Sequence, residues 1–101
     1  MIDFRSVPII FPAVTGRAQR QQVDAIFNSN VLRADVALKA FFLTFDNGDH
    51  HILSQDVEAH VDAFVNNVVT VGVDLLMRDD SGNIDDPYRG SVVVLVIADV
   101  T

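Results

Sequence analysis

Two acidic segments hold most of the side chains in this sequence that could do chemistry. They are Phe45-Asp46-Asn47-Gly48-Asp49-His50-His51 and Arg78-Asp79-Asp80-Ser81-Gly82-Asn83-Ile84-Asp85-Asp86-Pro87-Tyr88-Arg89-Gly90, and together they carry six of the fourteen acidic residues. Carboxylates, amides and guanidinium groups can fork onto adjacent sugar hydroxyls, and an aromatic ring can lie on the apolar sugar face. The long segment offers Asp85, Asp86, Arg89 and the only tyrosine, Tyr88, and the short one adds Asp49 and His50. The plainer reading of Asp86 to Gly90 is a turn held by an internal Asp–Arg pair, with Tyr88 packed at its base.

A metal is the second chemistry. Oxygen-bearing side chains recur at Asp79, Ser81, Asn83 and Asp85, and alternate residues of a curved loop can turn their oxygens together. Ca²⁺ takes roughly 6–8 such hard oxygens. The glycine is misplaced for a helix–loop–helix calcium loop, and no Glu closes the coordination sphere. Against Ca²⁺ stands a solvated turn, because Asp, Asn, Ser and Gly all favour turns through their own local geometry.

The histidines do not build a transition-metal or catalytic centre. His50 and His51 are adjacent, so on a strand they point to opposite faces. His60 lies about 33 Å from His50 along an unbroken strand. No His-Glu-x-x-His helix, nucleophile elbow or phosphate-cradling glycine loop is present. The expected class is a binding protein and not an enzyme.

Composition narrows the partners. A formal charge of −7 arises from thirteen Asp and one Glu against six Arg and one Lys. That balance repels phosphate backbones and anionic lipid, so neither nucleic acid nor a membrane surface is expected. The chain has no cysteine, which removes disulfides and thiolate sites. The first residues lack the apolar core of a secretory signal, and no run reaches the eighteen or so apolar residues of a membrane helix. A soluble protein of undetermined compartment is the expectation.

The elements that position these turns read as strands. With 101 residues and half of them apolar, the chain makes one domain over 1–101, with 1–20 as an extended N-terminal arm or edge strand. Val7-Pro8-Ile9-Ile10-Phe11-Pro12 is extended, because proline disfavours helix at the residue before it. Gln21 to Phe27 makes a short strand, with a helical turn as the alternative. From Val31 to Phe45, Leu32, Ala34, Val36, Leu38, Ala40 and Phe42 share one face; both faces turn apolar near Phe41, which signals a bulge or a second layer. Asp46 to Asp49 then reads as a hairpin, since Asn-Gly accepts the positive φ of tight turns.

His51 to Val65 comes next, with Val57, Ala59, Val61, Ala63 and Val65 inward, and Asn66-Asn67 is a second tight turn. Val69, Val71, Val73, Leu75 and Met77 face inward beyond it. Ser91 to Val100 closes the chain. The expected fold is all-β, an antiparallel sandwich of about six strands. If the strands run up and down in order, both acidic turns meet at one end as a rim.

Val92-Val93-Val94-Leu95-Val96-Ile97-Ala98 is apolar on both faces, whereas an antiparallel strand with one wet face alternates. Either loops or the N-terminal arm cover the second face, or another copy of the chain does.

Three stretches together resemble the H-type lectin domain: Val23-Asp24-Ala25-Ile26-Phe27 before a long strand, Asn67-Val68-Val69-Thr70-Val71-Gly72-Val73, and the acidic turn before the strand from Ser91 to Ala98. The resemblance spans most of the chain through generic β-patterns, and the tryptophans common near that family's final strands are missing. It implies a six-stranded sandwich, a homo-oligomer of three or more chains, and a galactose-type glycan between protomers. The rival reading is a structural subunit of a fibre, tail or capsid-like assembly.

Overall fold

Valine at every second position drives the architecture, because a β-branched side chain packs well on a pleated surface and loses little freedom there. In the computed structural model, which describes residues 1–14, 17–46, 51–79 and 86–101, six strands form. They are β1 (Ile2–Val14), β2 (Gln19–Ile26), β3 (Val31–Phe45), β4 (Ile52–Val65), β5 (Val68–Asp79) and β6 (Tyr88–Val100). One antiparallel sheet has the order β1-β6-β3, and the other β2-β5-β4. The all-β sandwich expected from the sequence is the fold. No helix among the described residues is long and apolar enough to cross a membrane.

The two central strands carry the core. Val92, Val94, Val96 and Ala98 of β6 meet Val69, Val71, Val73 and Leu75 of β5, all essentially without solvent exposure. Each such side chain contributes roughly 1.5–3 kcal/mol relative to staying exposed. Arg5 closes one edge of this core, its guanidinium 4.7 Å from the centre of the Phe27 ring and its Nε donating to the Ile26 carbonyl at 3.0 Å.

The segment Val7–Pro12 lies within an edge strand, β1, hydrogen-bonded beside β6. Prolines are tolerated there because one side of an edge strand needs no ladder donor.

Two features differ from the sequence expectation. The connection from β3 to β4 is not a hairpin, because those strands belong to different sheets. Only β4 and β5 are sequential neighbours within a sheet, joined through Asn66 at φ 54°. An Asn-Gly pair permits a tight turn but does not dictate which strand becomes the partner.

The second difference is register. Bulges between Leu38 and Ala40 and between Val61 and Ala63 each insert one residue, which swaps the faces of all later side chains in the strand. Phe41 and Leu43, not Ala40 and Phe42, therefore continue the inward row of β3. Phe64 opposes core-facing Val69, while Val65 is 66% exposed.

Candidate functional site

The acidic end is assembled by backbone pairing. Phe45, the last residue of β3, opposes Tyr88, the first of β6, and Ile52 at the start of β4 opposes Asp79 at the end of β5. The chain on either side of both turns therefore converges at one end of the sandwich. Asp46 N–H donates to the Pro87 carbonyl at 2.9 Å, and Arg89 Nε donates to Asp46 Oδ1 at 2.7 Å. Both side chains of that ion pair remain well exposed.

The proposed site residues divide into three groups. Asp49, His50, Ser81, Asn83 and Asp85 lie outside the described residues. Asp86 and Arg89 reach solvent at the rim, Asp86 half-buried and Arg89 exposed. Tyr88 and Asp79 face the other way. Tyr88 has no exposed surface, and its hydroxyl lies 2.8 Å from the Arg17 carbonyl and 3.0 Å from that of Leu75. A ring so enclosed cannot stack on a sugar, so Tyr88 is a core residue, in keeping with the plainer reading of its turn. The cause is the two-residue period of β6, which puts Tyr88 on the same face as Val92 and Val94. Burial pushes its phenol pKa up, and Gln19 partly offsets this.

Asp79 is buried at the end of the inward row of β5 that begins with Val69. Among the described residues no group of three or more His, Asp or Glu side chains is placed to hold a metal.

The outer face of β2-β5-β4 carries a polar network that the sequence did not reveal. Arg20 on β2 donates from Nη1 to Asp74 of β5 at 2.9 Å and from Nη2 to Asp62 of β4 at 2.8 Å. Gln22 Nε2 donates to the same Asp62 oxygen at 2.6 Å. His60 Nε2 stands 3.1 Å from Asp62 Oδ1 and 3.0 Å from Arg20 Nη1. That nitrogen either donates to the carboxylate or accepts from the guanidinium, never both at once.

The Gln22 hydrogen bond first, and then Arg20, hold the Asp62 carboxyl below its usual pKa. Asp74 and Asp62 in turn raise that of Arg20. The network lies over Gly72, where a Cβ would come within 2.8 Å of all three charged or ring side chains. A lone glycine inside a strand was the only sequence signal for it. Beside the network runs a groove of about 550 Å³ lined by Gln55, Asp56, Glu58, Asp74 and Leu76.

The outer face of β1-β6-β3 is different in kind. Register places Phe4, Pro8 and Ile10 of β1, Val93, Leu95 and Ile97 of β6, and Ala37, Ala40 and Phe42 of β3 on it together. Phe4 and Phe42 are each 55% exposed and Ile10 is 69% exposed. The N-terminal strand lies beside β6 and so extends this apolar face instead of covering it.

No family model, curated protein or solved structure matches the chain.

Proposed function

We propose that this chain is a non-enzymatic binding module, working as a small homo-oligomer, that takes a glycan at its acidic end. The observation that carries this reading is the junction of the two turns through Asp46, Pro87 and Arg89. It gathers carboxylates and a guanidinium from separate parts of the chain into one exposed rim of the type that forks onto vicinal hydroxyls. Asp46, Asp86 and Arg89 contribute from the described residues, and Asp49, His50 and Asp85 belong to the same segments. The resemblance to H-type lectin domains is part of this proposal and favours a galactose-type sugar. Ca²⁺ bridging the rim carboxylates to the sugar is its metal-dependent form.

A glycan array on the wild-type chain and on Asp86→Ala and Arg89→Ala variants tests it. Binding that both substitutions abolish supports the rim. Binding that is absent, or unchanged in the variants, favours a structural subunit. Melting with millimolar calcium and then chelator tests the metal, since a ligand that binds only the folded state raises the melting temperature.

The second reading, a subunit of a larger assembly, is favoured by the apolar outer face of β1-β6-β3. There the acidic rim serves only to keep the particle soluble.

A further inference from the structure

We propose that the outer face of β1-β6-β3 is an interface between copies of this chain. The inference specifies the oligomer of the preceding reading, yet it rests on the sheet and not on the rim. Three observations lead to it.

The first is the character of the face. Phe4, Ile10, Leu95 and Phe42 sit on three adjacent strands, and the opposite sheet shows no such surface, bearing Arg20, Asp24, Asp56, Glu58, Asp62 and Asp74 instead. Soluble monomers seldom leave contiguous apolar patches larger than a few hundred Å².

The second is size. Three strands about 4.8 Å apart and about ten residues long span a plan area of roughly 450 Å² before side-chain relief is counted. A stable pair of proteins buries about 800 Å² on each partner. Side-chain relief from Phe4, Ile10 and Phe42, each more than half exposed, adds to that plan area.

The third is charge. The chain carries −7, so two copies repel unless they meet where the excess is absent. The outer face of β2-β5-β4 sets five carboxylates (Asp24, Asp56, Glu58, Asp62, Asp74) against Arg20 and Arg78. The outer face of β1-β6-β3 sets Arg33, Lys39 and Arg89 against Asp35, Asp46 and Asp99, which balances to zero. Lys39 reaches across β6 to Ser6 on β1, with Nζ 3.0 Å from the hydroxyl, and so lays its aliphatic stem over the apolar centre. Of the two faces, only this one lets copies approach without net repulsion.

The test is the mass in solution. Light scattering at micromolar concentration is expected to give a multiple of the 11.1 kDa chain. Leu95→Glu should bring it to a single chain, whereas Leu76→Glu on the other sheet should leave it unchanged. A second measurement covers a Leu95→Glu protein that does not fold. Because the chain has no cysteine, Ala37→Cys can be labelled with a maleimide and compared with Asp56→Cys. Slow labelling at 37 beside fast labelling at 56 supports the interface. A wild-type mass of one chain, an oligomer that withstands Leu95→Glu, or equal labelling overturns it. A single chain that binds phosphatidylcholine vesicles also overturns it and gives the face to lipid. A silent glycan array leaves these results untouched, so the two readings fail separately.

Discussion

Gly90 lies against the Phe42 carbonyl so closely that a Cβ at position 90 would overlap that oxygen and crowd the Leu43 side chain. Backbone cannot swing aside as a side-chain tip can. Gly90→Ala is expected to destabilise by about 2–3 kcal/mol, in the range of overpacked cores. Gly72→Ala displaces only the mobile ends of Arg20, Asp62 and His60, and should cost less than about 1 kcal/mol. Urea midpoints of the two variants check the order.

The buried Tyr88 hydroxyl gives a second expectation. Tyr88→Phe removes its hydrogen bonding to the Arg17 and Leu75 carbonyls and should cost about 1–2 kcal/mol. The phenol pKa is raised in the folded chain, so the associated stability is whole below pH about 10 and is lost as pH rises through the folded value. The phenylalanine variant should show a flatter alkaline limb in thermal melts taken between pH 9 and 11, values on the order of the tyrosine pKa.

Asn66 holds φ 54°, a conformation that β-branched residues resist. Asn66→Val should cost roughly 1–2 kcal/mol, while Asn66→Gly should be nearly neutral. The carbonyls of Asn66 and Asn67 also accept from Val31 N–H and Phe27 N–H, so strain here loosens the link between β2 and β3 as well. Hydrogen exchange at Phe27 and Val31 should quicken in the valine variant.

Acid should weaken the network over Gly72. The Asp62 pKa is lowered by Gln22 and then by Arg20, so its contribution is present above pH about 4 and is lost as pH falls through the folded value. Asp62→Asn should be less stable than wild type at neutral pH and should converge with it in acid. A gap that does not narrow as pH falls below about 4, the ordinary carboxylate value, would count against this account.

The strand spans were largely legible because period-two patterning reports a half-buried surface whatever lies on the far side. Val31 to Phe45 was readable end to end. Sheet membership was not, since Asn47-Gly48 describes what the chain permits locally, whereas the choice of β6 over β4 as partner to β3 is made by residues more than forty positions away.

The doubly apolar stretch near Phe41 signalled a bulge in β3 without fixing its place, and nothing signalled the one before Phe64; one inserted residue reverses every side chain after it. The Tyr88 position was open to reading, since the inward row of Val92 and Val94 reaches it by simple alternation. The Arg20 network was not. Its members come from three strands, and nothing in the sequence of one names the other two.

The strand order has a consequence for how the chain is made. β6 is the middle of its sheet, and β1 and β3 touch no other strand of that sheet. During synthesis the first and third strands therefore wait without a partner until the sixth emerges, while β4 and β5 can already zip locally around Asn66. Half of the sandwich, and the apolar surface on its outer side, comes into being only with the closing strand. A chain stopped before Tyr88 should keep only the β2-β5-β4 sheet paired, with its inner face uncovered, and fall to aggregation or proteolysis.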